Sequence, residues 1–257
     1  MLIKSKTLTG FKLNGRDGEM GKVKEFYFDD QHWTVRYLVA DTGNWISDRL
    51  VLISPYALIG VNVQNQCINV NLTKKQIEDS PSLKSDIPVS KQFEEEYYGF
   101  FGWPIYTGGP KKWGAKSYIE RDSSKWGKPD RVQRVWDPNL RSTHDVSGHS
   151  VQATDGEIGH VADFVIDDET WAIRYLVIDT HNWLPDKMVL ISILWIEKVS
   201  WNEKKVFISL PRETIKLAPE YSENALISRE YELGLHRYYN RKVYWEDLLA
   251  DLPKDSK

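Results

Sequence analysis

In WTVRYLVAD (33–41), apolar and polar positions alternate. Val35, Tyr37 and Val39 fall on one face of a strand, and Arg36 falls on the other. The same pattern returns in WAIRYLVID (171–179), with Ile173, Tyr175 and Val177 on one face and Arg174 opposite. Around each strand the chain is cut into short extended pieces by turn signals. Asp17-Gly18 and Asp155-Gly156 are turn dipeptides. GKVKEFYFD reads as a strand, DDQH as a tight connection, RLVLIS and ALIGVNV as further strands, and CINVNL as the last. Five or six short strands with frequent turns predict a small closed or nearly closed β-barrel.

The pattern changes to a helical period downstream. Thr73-Lys74-Lys75-Gln76 has capping-box spacing, and Pro81 ends that short helix. Ser90 opens SKQFEEEYYGFF, where Phe93, Tyr97 and Phe100 or Phe101 recur at helical spacing. Ser228 opens its counterpart.

Nearly everything occurs twice. Residues 10–106 pair without gaps with residues 148–244, at roughly thirty identities. DGEMGKV (17–23) pairs with DGEIGHV (155–161), RYLVADTGNW (36–45) with RYLVIDTHNW (174–183), and VSKQFEEEYYGFFGWPIY (89–106) with ISREYELGLHRYYNRKVY (227–244). The expected organisation is a first barrel with its C-terminal helix over 1–106, a linker or packed arm over 107–147, and a second barrel with its helix over 148–257.

Composition narrows the function classes. The chain has 257 residues, 41% hydrophobic and 28% charged, as in ordinary globular proteins. A net charge of −3 gives no global attraction to nucleic acid or to an anionic membrane. The single cysteine, Cys67, excludes an internal disulfide and a cysteine-based metal site, and fits a reducing cytoplasm. No apolar run reaches membrane-spanning length. Residues 107–147 carry nine Lys and Arg against five Asp and Glu, with Trp113, Trp126 and Trp136 among them. Such a mixture suits RNA contacts. The expected role is nevertheless an arm that wraps a barrel, with buried tryptophans and solvated charges.

DGEIGHVADFVIDDETWAIRYLVIDTHNWLPDKMVLIS (155–192) resembles the PRC-barrel family, and its first-half counterpart does so more loosely. That family includes the cytoplasmic domain of the photosynthetic reaction-centre H subunit and the C-terminal domain of the ribosome-maturation factor RimM. The chain is most similar to the bacterial type that carries two such barrels in tandem. The resemblance implies a mainly β fold of two tandem small PRC-type barrels, each followed by short helices. It implies no catalytic residue, cofactor or metal. It implies a non-enzymatic binding or scaffold role through protein–protein recognition, with a protein partner or a second copy in a homodimer. Two alternatives follow: an accessory factor of a photosynthetic or electron-transfer membrane complex in peripheral contact, and an RNA- or ribosome-associated factor using the basic linker.

Individual residues carry sharper readings. Asp41-Thr42-Gly43 has the aspartic-protease tripeptide, but His181 replaces the glycine in the second copy, so paired carboxylates are not expected. Asp41 is expected to end a strand and bond its own turn. Asp29-Asp30 and Asp167-Asp168 are expected to be solvated turn tips rather than a cation site. Trp33 and Trp171 are expected in the core. Arg36 and Arg174 are expected to pair with a nearby carboxylate such as Asp41 or Asp48 and their copies. The six histidines, none repeated by the duplication, show no metal spacing. The aromatic tails supply the candidate interaction surface: Tyr98, Phe101, Trp103, Tyr106, Trp113, Tyr239, Tyr244 and Trp245.

Overall fold

The structure is a computed structural model and describes residues 1–43, 46, 51–81, 91–104, 119, 124, 139–180, 187–222 and 226–246. The first half contains β1 (Leu2–Lys4), α1 (Ser5–Leu8), β2 (Lys12–Gly15), β3 (Gly18–Asp29), β4 (Thr34–Asp41) and β5 (Val51–Ile53). A 3₁₀ turn at Pro55–Ala57 leads to β6 (Leu58–Asn62), β7 (Cys67–Val70), α2 (Lys74–Glu78) and α3 (Lys91–Phe101). The second half repeats the series with β8 (Leu140–Ser142), α4 (Thr143–Val146), β9 (Ser150–Ala153), β10 (Gly156–Asp167), β11 (Ile173–Asp179) and β12 (Met188–Ser192). A 3₁₀ turn at Ile193–Trp195 then leads to β13 (Ile196–Ser200), β14 (Lys205–Ile208), α5 (Arg212–Lys216) and α6 (Arg229–Tyr238).

The protein is mainly β, and its described residues form two sheets of seven strands each. The first is ordered β5-β4-β3-β2-β7-β6, and β8 adds to β3. The order β12-β11-β10-β9-β14-β13 repeats it in the second. Within these orders the neighbours are antiparallel, except for the parallel pairs β2·β7 and β9·β14. Packing divides the chain into two units. One comprises Met1, residues 3–144 and Asp167–Ala172; the other comprises Leu2, residues 145–166 and residues 173–257.

Each sheet bends at matching places. In β3 the register with β4 skips at Lys24, and in β4 it skips at Arg36, because Tyr27 opposes Tyr37 while Phe28 opposes Val35. The second copy skips at Ala162 and Arg174. A β-bulge of this kind bends the strand and re-aims its side chains. The result departs from the alternation read in the sequence. All of β4 up to Ala40 is buried, including Arg36 at 1% exposure.

Two glycines are required by close approach. Gly21 has φ +130°, and a Cβ there would lie 2.2 Å from the Asp41 carbonyl oxygen. Gly159 has φ +146° and would meet the Asp179 carbonyl oxygen at 2.0 Å. The strand pairs β3·β4 and β10·β11 cross tightly there.

Trp33 and Trp171 sit at equivalent tight turns with φ +51° and +57°. This conformation is uncommon for a bulky side chain. Burial of the rings offsets it: Trp33 stacks on Phe28 at 5.4 Å, and Trp171 lies 6.2 Å from Phe26 within the first unit. Both therefore belong to the core, as expected.

The turn aspartates have a second use. The backbone N–H of Lys74 donates to Asp17 at 3.0 Å, and that of Arg212 donates to Asp155 at 2.8 Å, so each Asp-Gly turn caps the short helix of its own copy. Thr73 and Gln76 form the full capping box on α2. Ser90, the expected start of α3, lies outside the described residues, whereas Ser228 caps α6 by accepting from Tyr231 N–H at 3.1 Å.

Candidate functional site

The chemistry-bearing residues that the duplication repeats meet where the C-terminal helix of each copy seats on its barrel. In the first unit Glu94 of α3 is 4% exposed and points inward. Its Oε1 accepts from the Arg36 guanidinium and, at 2.9 Å, from the Tyr37 hydroxyl. Arg36 also lies 3.8 Å from Asp29. The partner of Arg36 is thus a helix carboxylate and a turn carboxylate, not Asp41 as expected; Asp48 lies outside the described residues. The bulge is the physical reason, because it turns Arg36 from the outer face toward α3.

Aromatic side chains close this seat. The Tyr97 hydroxyl donates to the Leu52 carbonyl at 2.8 Å and accepts from Ser54 N–H at 3.2 Å. The Tyr98 hydroxyl lies 3.3 Å from Ser54 Oγ. Phe101 stacks on Trp103 at 4.4 Å, and Trp103 stacks on Tyr56 at 6.0 Å. Burial raises the Tyr37, Tyr97 and Tyr98 hydroxyls above the ordinary tyrosine range, so all three are neutral donors.

The second unit keeps the carboxylate and changes its surroundings. Glu232 of α6 is 1% exposed. It accepts from the Tyr175 hydroxyl at 2.9 Å and from Arg229 at 3.1 Å. Arg229 also donates to the Tyr244 hydroxyl at 2.7 Å, and Arg174 lies over the Tyr244 ring at 4.2 Å. His236 stands at the position equivalent to Tyr98. Its Nε2 is 3.0 Å from the Tyr175 oxygen, and its Nδ1 is 2.7 Å from the Lys242 carbonyl. Burial pushes the Glu232 carboxyl up, against hydrogen bonds from Tyr175 and Tyr244 and the Arg229 charge. Burial pushes the His236 imidazole down, against the Lys242 carbonyl and the Glu246 charge.

The candidate surface residues separate on this geometry. Tyr98, Tyr239 and Tyr244 are buried at 9% exposure or less, packed inside their own units rather than on a surface. Phe101, Trp103 and Trp245 are half-buried. Tyr106 and Trp113 lie outside the described residues. The aromatic tails had looked like a surface because composition does not distinguish a sticky face from a helix seat. Two other residues of these aromatic tails are outward instead. Phe100 of α3 is 46% exposed and Tyr238 of α6 is 37% exposed, at equivalent positions of the two copies. In the arm, Ile119 is buried.

The remaining readings resolve locally. Asp41 accepts from Gly43 N–H at 2.9 Å, so it bonds its own turn as expected. The turn-tip carboxylates are not solvated. Asp29 is 4% exposed and accepts from the backbone of Gln31 at 2.8 Å and His32 at 3.1 Å, while Asp30 accepts from Arg141 Nε at 2.8 Å. Asp167 is likewise buried and accepts from Glu169 N–H. Among the described residues no group of three or more His, Cys, Asp or Glu side chains is placed to hold a metal ion. Among them, too, no helix is long and apolar enough to cross a membrane.

A search among curated proteins found no match for the chain. Residues 138–215 match the family model described as PRC-barrel domain. That span runs from just before β8 into α5. The second copy therefore carries a PRC-barrel domain, a general scaffold and binding fold.

Proposed function

We propose that the protein is a non-enzymatic scaffold of two PRC-type barrels that acts by protein–protein recognition in the cytoplasm. Extension of the PRC-type reading to the first copy rests on its equivalent strand order and bulges. The observation that carries the functional reading is the division of labour on the two C-terminal helices. Glu94, held by Arg36 and Tyr37, and Glu232, held by Tyr175, are directed inward and used to seat the helices. Phe100 and Tyr238, six residues further along, keep part of their rings exposed, at 46% and 37%, with the Tyr238 hydroxyl donating to the Thr214 carbonyl at 2.7 Å. An aromatic side chain held out from a rigid helix is a recognition anchor at low entropic cost.

The test is capture from the protein's own cells with the full chain and with a Phe100→Ser/Tyr238→Ser double variant, at low and high salt. A stoichiometric protein that the wild type holds and the double variant loses supports the reading. Equal capture by both, or capture of nucleic acid alone that vanishes with salt, overturns it. In the latter case the basic segment 107–147 becomes the binding element. The native mass of the captured species distinguishes a foreign partner from a second copy.

A further inference from the structure

Three hydrogen bonds in the second unit share too few protons. The Lys242 carbonyl has no proton to give, so its 2.7 Å contact requires a proton on His236 Nδ1. The Tyr175 hydroxyl carries one proton but faces two groups, Glu232 Oε1 at 2.9 Å and His236 Nε2 at 3.0 Å. With Glu232 ionised and His236 neutral, that proton serves one neighbour and leaves two lone pairs facing each other at the second. The other histidine tautomer only moves the conflict to Lys242. One additional proton completes all three bonds. It sits on Glu232, which then donates to Tyr175, or on His236 Nε2, which donates to Tyr175 while Tyr175 donates to Glu232.

We propose that Glu232, Tyr175 and His236 hold one exchangeable proton, and that this proton latches α6 onto its barrel. The chain of contacts runs from the helix to strand β11 and back, so losing the proton opens a bond between helix and barrel. A buried hydrogen bond left unmade is the costly kind. The groups around it do not supply the missing proton. Arg229 and Tyr244 face Glu232, Arg174 lies over Tyr244, the Glu246 charge acts on His236, and Trp195 and Trp245 pack against the imidazole. The first unit has no such shortage. Tyr98 replaces His236, the Tyr37 hydroxyl donates to Glu94, and Arg36 is a permanent donor. Helix α3 is therefore the built-in reference.

The latch has a distinctive pH profile. Undocked, the glutamate titrates at its ordinary 4.5 and the histidine at 6.5. The undocked pair thus binds two protons below 4.5, one in between, and none above 6.5. Docked, the pair keeps one throughout, in line with the upward shift of Glu232 and the downward shift of His236. Docking is flat between 4.5 and 6.5, weakens as pH rises above 6.5, and weakens as pH falls below 4.5. Each limb approaches about tenfold per pH unit, the limit for one proton.

The test is amide hydrogen exchange on the full chain, corrected for intrinsic rates, comparing α6 with α3. The wild type is expected to lose α6 protection above 6.5, about tenfold per pH unit, while α3 stays level. Glu232→Gln supplies a permanent donor. Its α6 protection should rise toward 6.5 and stay level above it, reversing the wild-type slope. His236→Gln donates to Tyr175 without titrating, and should be level above 4.5 even if Glu232→Gln fails to dock. A level wild-type profile above 6.5, or a wild-type slope retained in either variant, overturns the latch.

Discussion

Arg36 and Tyr37 are consecutive in β4, yet both hydrogen-bond the same oxygen, Glu94 Oε1. Neighbours in a regular strand point to opposite faces. The bulge at Arg36 removes that constraint and lets one helix carboxylate collect two barrel side chains. The second copy repeats the bulge at Arg174, and Tyr175 reaches Glu232 in the same way. The bulge is therefore the device that turns a strand into a seat for a helix.

Removing the carboxylate should be far worse than removing the whole network. Glu94→Ala leaves the Arg36 charge at 1% exposure without its nearest partner. Loss of one member of a buried pair costs about 3–5 kcal/mol. The triple change Arg36→Met/Tyr37→Phe/Glu94→Leu removes the three hydrogen-bonded side chains together, leaves Asp29 to the backbone N–H groups of Gln31 and His32, and should recover most of that loss. Urea denaturation of the full chain, resolving the transition of the first unit, checks the order. A triple variant less stable than Glu94→Ala would contradict it.

Glycines at the strand crossing should be irreplaceable, and a helix glycine should not. Gly21→Ala or Gly159→Ala combines a positive φ with a Cβ at 2.2 or 2.0 Å from a carbonyl oxygen. Each should cost at least about 3 kcal/mol. Gly99 of α3 is exposed with open space around its Cα, so Gly99→Ala should stabilise by about 0.5–1 kcal/mol. Thermal melts of the three single variants decide this.

The duplication was legible because identical residues recur at one fixed offset, and turn dipeptides with period-two strands then specify the barrels. The seat was only partly legible. Glu94 and Glu232 coincide under the offset and lie beside the apolar positions of an amphipathic helix, a signal of a buried carboxylate. Arg36 was placed on the wrong face because a bulge adds one residue without a local sequence mark. Tyr98, Tyr239 and Tyr244 resembled a surface because groups that cover them, Ser54, Trp195 and Arg174 in turn, come from distant segments. The outward placement of Phe100 could be resolved only after the buried face of α3 was known.

Two adjacent tyrosines should separate cleanly. Tyr97 bonds two backbone groups, the Leu52 carbonyl and the Ser54 N–H, both in the interior. Tyr97→Phe strands them and should cost about 1–3 kcal/mol. Tyr98 faces rotatable hydroxyls instead, those of Ser54 at 3.3 Å and of Tyr37, which can re-pair, so Tyr98→Phe should cost about 1 kcal/mol or less. Equal losses in denaturation would show that ring packing, not the hydroxyls, sets the energetics of the seat.

His149 gives the second unit a separate acid sensitivity. The side chain is 5% exposed and lies against Trp201 at 5.8 Å. Burial lowers its pKa from 6.5, the Lys204 charge lowers it further, and Asp145 opposes both. The unfolded chain therefore takes up a proton at 6.5 that the folded chain refuses. Stability from the neutral imidazole is complete above 6.5 and is lost as pH falls below it toward the folded value. His149→Gln cannot titrate, so its melting temperature should fall less than that of the wild type over the same acid interval. The comparison requires only thermal melts of the two full-length proteins across that interval. Parallel curves would mean that the folded protein accepts the proton on His149 without cost, and that the acid limb originates elsewhere.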